Sequence, residues 1–587
     1  MISPTATIMA VGQAKTTPSV SHVGSGRYSV SEGAREAFEQ LWESTKGELP
    51  REFLEYAKRI FFLGDTGTGD AACFPCPFRE QEAIAALKAL EGCAAATIAD
   101  IRGPKREREI NVMMERVTSF LMSAYITDLD GLDKCNPKIK ERIPDTDLNQ
   151  AQSNLYRRLS AGLYKTRNQG EYYHIHGSLE ATTTLGMIGL PPFLPGSMDY
   201  HGCINTIEEA VKRFSGAELE RLNREHHQAG VPALTNEKYQ NTAHGQAMAS
   251  LPLFTVKPLN TDTPPVPFTE FADEPNQCLQ GLRVIELCRV IAGPTIGRSL
   301  AAHGASVLKI TSPQLPDVPF FQLDVNTGKH TTFLHLKDPT DIQTFESLLA
   351  TADVIIDGYR PGVIASLGYS PEVLAAKAAE HGRGIVYVAE DCFGGTEIGA
   401  EWAGRPGWQQ IADCVTGVAW EQGRFMGLNE PVVPPFPMSD YGTGCVGTIA
   451  ALSGIYQRAT RGGSWVCRTS ISQYDIFLLS LGVYPADVQD RLRREHDPRF
   501  FELRHNDSVD EVSQRALASV RKLHPTLFAR HIMQSSYSKA FGGVVTWSKE
   551  PLKVEGIKIG HVRLTRPNGY DEPSWEDWES DKTLLGD

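Results

Sequence analysis

From Leu282 onward the chain alternates short β-branched runs with runs of small residues, and no other feature limits its fold as strongly. LRVIELC (282–288) reads as a buried strand, and AGPTIGRSLAAHGA after it as a helix entered through a glycine turn. SVLKI follows, and later HTTFLHL, ADVIIDG and GIVYVAE read as strands between helical segments. Strands joined through helices lie parallel, because a tight turn reaches only an antiparallel neighbour. The expected class is α/β, with a doubly wound, mostly parallel, Rossmann-like sheet. The turn after the first strand lacks G-x-G-x-x-G, which disfavours NAD and FAD.

A chemical reading turns on PPFPMSDYGTGCVGTIAALSGIYQRATRGG (434–463). Its prolines exclude a helix at the start, an apolar helix is expected from about Val446 to Tyr456, and a basic, glycine-rich stop ends it. One carboxylate, Asp440, precedes that helix in the turn SDYGTG. There the helix dipole and free N–H groups favour negative charge, and Gly442 and Gly444 let a substrate approach. Asp440 is thus a candidate nucleophile, although an N-cap or turn acid would occupy the same place.

The first half is mostly helical in pattern. Segments 31–62, 79–101 and 110–127 read as helices, separated by a loop rich in glycine, cysteine and proline and by polar connections. In GEYYHIHGSLE a short strand would place His174 and His176 on one face, as metal ligands, proton shuttles or half-buried polar groups. Glu180 opens the next element, where a carboxylate can face a pocket. Residues 251–280 are proline-rich and extended, and read as an inter-domain linker. EAIAALKAL (82–90) faintly echoes GTIAALSGI (447–455), and Pro75 then takes the place of Asp440.

A chain of 587 residues implies two or more domains, and 41% apolar with 22% charged residues is a soluble, globular composition. The net charge of -13, without a long basic run, disfavours nucleic acid and anionic membrane as partners. No run has the length of a membrane span, and residues 1–30 read as a flexible arm rather than a signal peptide. Eleven scattered cysteines fit a reduced, cytoplasmic compartment. The single CxxC, Cys73 with Cys76, is half a zinc site, so no metal is expected.

Four stretches in order resemble the class III (CaiB/BaiF-type) CoA-transferase family, which includes formyl-CoA transferases, α-methylacyl-CoA racemases and carnitine-CoA transferases. They are LQGLRVIELCRVIAGP with SLAAHGASVLKI, NTGKHTTFLHLKDP, ATADVIIDGYRPGVIASLGYSPEVL, and the MSDYGTG turn with its helix and RGG. The resemblance covers 278–485; it is fainter over 31–270, which looks like a degenerate first repeat with a small α+β domain, and over the closing segment 486–587. A fused, truncated repeat leaves open a homodimer or an internal pseudo-dimer.

The resemblance implies that Asp440 attacks an acyl-CoA thioester, giving a mixed anhydride and then an enzyme–CoA thioester before a small carboxylic acid takes the CoA. CoA thioester is then a substrate, with no permanently bound cofactor. Val290, Ile291 and Ala292 would contact it at the first βα turn; Leu334, His335, Leu336, Lys337 and Arg360 would line the nucleotide and its phosphates. Amides of the Gly442 and Gly444 turn would hold the oxyanion. The chain departs from the family where Gly358 replaces an asparagine, Ser366 a basic residue and Trp408 the histidine of the racemases. Trp408, at the acyl pocket, disfavours a 2-methylacyl-CoA racemase, while Glu180 lies near a racemase glutamate. The lost basic residues keep a CoA-binding pseudo-enzyme as a third reading.

Overall fold

The computed structural model describes residues 28–64, 70–259, 262–271, 276–576, 578, 581 and 584. Of the expected arm at 1–30, all but the last three residues lie outside the described residues.

Six parallel strands form the body of the main sheet. Across it they run His330–Phe333, Ser306–Thr311, Arg283–Leu287, Val354–Asp357, Val386–Asp391 and Ser464–Ser470. In sequence order this is three-two-one-four-five-six, the order of dinucleotide-binding sheets. The order reverses between Arg283–Leu287 and Val354–Asp357, which pair from Val284 with Val354 to Leu287 with Asp357. Alternate residues enter two cores. Val284, Val307, Val354, Ile356, Val386 and Val388 join the large core beneath helices Ala292–Ala302 and Met438–Arg461. Ile285, Leu308, Ile355 and Tyr387 join a second core with Phe345 and Leu374, from helices Pro339–Leu349 and Pro371–Glu380. Burial on both faces is why these strands are rich in apolar residues on both sides.

The expected linker at 251–280 is corrected by the structure. It contains strand Phe254–Leu259, which pairs antiparallel with Ser464–Ser470 and completes the main sheet at its edge. Pro258 is tolerated there because an edge strand has one unpaired side. Two helical expectations also fail. Residues 51–62 form a 3-10 helix, Arg51–Arg59, and then strand Ile60–Leu63. Residues 110–127 begin with strand Ile110–Met113 before turning helical at Met114. These two strands pair in parallel, and Leu552–Val554, far along the chain, closes the small sheet.

Helix Glu80–Arg102 is buried on nearly every side and packs against Met438–Arg461. A helix so enclosed must neutralise its charges internally. Lys88 pairs with Glu91 at 2.8 Å, and Glu91 meets His303 Nε2 at 2.8 Å. A further small sheet, Gly162–Lys165, Tyr172–His176 and Ala229–Pro232, carries the segment that reaches the cavity described next. Among the described residues no helix is long and apolar enough to cross a membrane.

Candidate active site

A cavity of about 790 Å³ opens at the C-terminal ends of the parallel strands, where the strand order reverses. Ligands of open α/β sheets bind in such a crevice. Its wall brings together Asp440, Glu180, Trp408, Val290, Ile291, Ala292, Leu334, His335, Leu336, Lys337 and Arg360. Of the residues singled out in the sequence as site residues, Gly442 and Gly444 are not on it.

The two glycines are elsewhere because the helix starts earlier than expected. It runs Met438–Arg461, so Asp440 lies in its first turn and both glycines lie inside it. Their role is close packing. A Cβ on Gly442 would lie 2.1 Å from the Tyr474 ring, and one on Gly444 2.4 Å from Thr295 Cβ. Their N–H groups belong to a continuous helix, so the expected oxyanion hole in a glycine turn is not built.

Asp440 is the one partly accessible residue at the end of the buried run 431–440, and it lines the cavity. Its backbone N–H donates to Gln409 Oε1 at 3.2 Å. Gln409 Nε2 donates in turn to Phe436 O and Asp413 Oδ2, both at 3.1 Å. The main chain at Asp440 is thus held, while its carboxylate has no hydrogen-bond partner among the described residues. Burial, reinforced by the nearby Asp413 carboxylate, pushes the Asp440 pKa up to about 8, against the pull of the helix N-terminus. Asp413 and Asp475 lie below with raised pKa values, chiefly from burial; Ser439 Oγ donates to Asp413 at 3.1 Å and Thr416 Oγ1 to Asp475 at 3.1 Å.

Cations gather on another part of the wall. Arg360 and Lys337 are joined there by Arg289, which the sequence reading passed over. The Arg289 guanidinium lies 5.3 Å from the Tyr359 ring centroid and donates to Pro316 O at 2.7 Å. Burial and the neighbouring Arg289 hold the Arg360 pKa below its ordinary value, so an anion placed beside them is strongly favoured. Between the arginines and Asp440 the first βα turn carries Val290 at φ 69°. A β-branched residue in the left-handed region is strained, and such strain collects at ligand sites. The helix that follows leaves its first N–H groups, at Ala292 and Gly293, without intrahelical partners.

Glu180 reaches the cavity but is occupied. Its carboxylate accepts from Thr182 N and Thr183 N, each at 3.1 Å; burial raises its pKa, and these bonds outweigh burial and leave it lowered. His176 does not line the cavity. It stacks on Trp408 at 5.2 Å and 7°, accepts from Ser178 N through Nδ1, and burial holds it neutral. Trp408 Nε1 donates to Ser178 Oγ at 2.9 Å, which fixes the indole between histidine and cavity. Arg405, also on the wall, is committed to Glu220 at 2.7 Å. Glu390 was missed as well: it lines the cavity from the end of strand Val386–Asp391, and burial with the acids Asp391, Asp440 and Asp357 raises its pKa well above the usual range.

Residues 279–499 match the model of CoA-transferase family III. The acetyl-coenzyme A transferase nodX of Hypoxylon pulicicidum is 33% identical over 544 residues, covering 90% of each chain. The chain belongs to CoA-transferase family III. An acyl-CoA transferase of Gibberella moniliformis is 30% identical over 75% of this chain and 77% of its own. A solved CaiB/BaiF family protein from Brucella suis aligns at 24% identity and TM-score 0.30, over 35% of this chain and 56% of that one. Family membership makes the chain a CoA-transferase in the general sense, with a CoA thioester as substrate. The family match contains Asp440, Trp408 and the cationic wall, whereas Asn149 and the 178–180 segment come from outside it.

Proposed function

We propose that this member of the family moves CoA from an acyl-CoA to a free small carboxylic acid through Asp440. The Asp440 carboxylate attacks the thioester carbonyl and expels CoA as thiolate, leaving a mixed anhydride. The thiolate attacks the Asp440 carbonyl and releases the first acid, leaving Asp440 as a CoA thioester. The second acid then repeats the sequence in reverse and leaves with the CoA. One observation carries this reading: Asp440 presents a carboxylate without a partner to the cavity, on a main chain held by Gln409. Bound acyl-CoA and acid then have to cover the site, because anhydride and thioester must meet carboxylate and thiolate rather than water. Arg289, Arg360 and Lys337 are suited to the phosphates of CoA, with the pantetheine arm passing Val290 and Ala292 towards Asp440.

The proposed organisation is a truncated first repeat at 31–270 fused to a fuller unit at 278–485, closed by 486–587. The two helices bearing the echoed sequence, Glu80–Arg102 and Met438–Arg461, lie against each other, which supports an internal pseudo-dimer.

The test incubates the protein in D2O with a panel of acyl-CoAs, including a 2-methylacyl-CoA, and a panel of free acids, and reads the CoA esters by mass spectrometry. New acyl-CoAs that require the added acid, and fall by at least about 10³-fold in Asp440→Asn, are expected. Deuterium entering the α-carbon without new species would replace the reading with a racemase. Bound CoA with neither change would replace it with a scaffold.

A further inference from the structure

With Gly442 and Gly444 inside a continuous helix, their N–H groups do not serve the oxyanion formed when Asp440 attacks. Glu390 is a side chain on the cavity wall that can. Glu390 is the fifth residue of strand Val386–Asp391 and shares the cavity wall with Asp440. Gly293, in the first turn of helix Ala292–Ala302, and Gly358, just after strand Val354–Asp357, flank its carboxyl: a Cβ on either would sit in van der Waals contact with Oε2, at 3.5 and 3.4 Å. It is 8% exposed, and among the described residues it has no hydrogen-bond or ion-pair partner.

The carboxylates that bear on Glu390 are Asp391, Asp440 and Asp357, and the buried thiols Cys288 and Cys392, held neutral by burial, complete its ionisable surroundings. Asp391 is satisfied by the N–H groups of Phe393, Gly394 and Gly395 at 2.7–3.0 Å. Asp357 accepts from Tyr359 N at 2.9 Å and from the Tyr387 hydroxyl. Two largely buried carboxyls on one cavity wall, with no cation paired to either, disfavour each other's ionisation. The nucleophile must be the ionised one, so the proton stays on Glu390, in agreement with its raised pKa. A carboxylic acid kept neutral by its surroundings is a strong hydrogen-bond donor to a developing oxyanion.

We propose that Glu390 is a further catalytic residue, whose carboxyl O–H donates a hydrogen bond to the acyl oxygen of the thioester as Asp440 attacks the adjacent carbon. This rests on the reading of Asp440 as nucleophile. In the step, a bond forms from Asp440 Oδ to the carbonyl carbon, and the C=O pair moves onto oxygen under the Glu390 hydrogen bond. Collapse returns that pair and expels the CoA thiolate. The Glu390 proton never leaves Glu390, so no acid or base is consumed.

Two spectroscopic measurements and one kinetic one test it. Infrared spectra of the unliganded protein at pH 7, taken as wild type minus Glu390→Gln, should contain the band of a protonated carboxyl; its absence overturns the proposal. In an Asp440→Asn background, bound [1-13C]acetyl-CoA should show a thioester C=O stretch lowered from its value in solution. Adding Glu390→Leu should return the band towards that value; the same band in both proteins overturns the proposal. Failure of every acyl-CoA of the panel to bind overturns the transferase reading and this proposal with it. For turnover, Glu390→Leu should lose about 100-fold in kcat with little change in the acyl-CoA KM, as for removal of an oxyanion donor, while Glu390→Gln, which keeps a donor, loses about tenfold. A fully active Glu390→Leu beside a dead Asp440→Asn overturns the role of Glu390 and leaves Asp440 standing. An active Asp440→Asn overturns the reading on which both depend.

Discussion

Substituting alanine for Gly442 separates two physical effects of opposite sign. In a helix interior the change from glycine to alanine is stabilising by about 1 kcal/mol from propensity alone. At Gly442 the new methyl would stand 2.1 Å from two atoms of the Tyr474 ring, which is fully buried. Tyr474 also donates to Glu80 Oε2 at 2.6 Å, so its ring cannot retreat without stretching that bond. Overpacking costs about 1–3 kcal/mol and a lost buried hydrogen bond about 0.5–1.5 kcal/mol, which leaves Gly442→Ala about 0.5–3.5 kcal/mol less stable after the propensity gain. Tyr474 shares its helix, Ile471–Ser480, with the cavity residue Ile471, so acyl-CoA affinity should fall too. Parallel thermal scans of wild type and variant give the sign directly. A Gly442→Ala protein as stable as wild type, or more so, would refute the packing argument and with it the account of why this helix tolerates glycine near its start.

Asp440, with a pKa near 8, should make kcat/KM climb with pH and level off above about 8, while a pH-rate profile flat from 6 to 9 would exclude it as the group that must ionise. Its pKa is raised in the folded state, so the bound proton favours folding and that stability is lost as pH rises through about 8; Asp440→Asn should therefore gain on wild type between pH 5 and pH 8 in denaturant titrations. Arg289→Ala combined with Arg360→Ala should raise the KM for acyl-CoA at least about tenfold with kcat changed far less, read by steady-state kinetics. Lys329 is fully buried against Glu286 at 2.6 Å, so Lys329→Met alone should cost about 3–5 kcal/mol and adding Glu286→Leu should restore most of it, measured by urea unfolding.

Five of the six parallel strands were legible because the sheet is covered on both faces, which makes their runs rich in apolar residues; the sixth, Ser464–Ser470, was passed over, because SWVCRTS mixes polar with apolar residues directly after the glycine stop. Strand Phe254–Leu259 was not: FTVKPL sits at an edge, with Lys257 and Pro258 exposed, and out of context it has the chemistry of a linker. The start of the Asp440 helix was misjudged for a related reason. Two glycines after a proline argue locally for a turn, and only the ring of Tyr474 and the side chain of Thr295 pressing on them supply the reason for a helix. Asp440 itself was visible as a lone acid at a helix entrance. Arg289 stood in plain sight within CRVIAGP, one residue before Val290. Glu390 gave no signal, since two adjacent acids ending a strand have no spacing to read, and its setting is made by Gly293 and Gly358, which are distant in sequence.

Helix Glu80–Arg102 is enclosed by a partner that lies far later in the chain, Met438–Arg461, while the strand edge at Phe254–Leu259 waits for Ser464–Ser470. At about 5–20 residues per second, the ribosome delivers Arg461 roughly 20–70 s after Arg102. For that interval the alanine-rich surface of the first helix lacks its late partner, and for roughly 10–40 s of it the strand Phe254–Leu259 lacks Ser464–Ser470. The first helix and this strand therefore reach their native environment only after the late half has been made, a high-contact-order arrangement that leaves apolar surface open during synthesis.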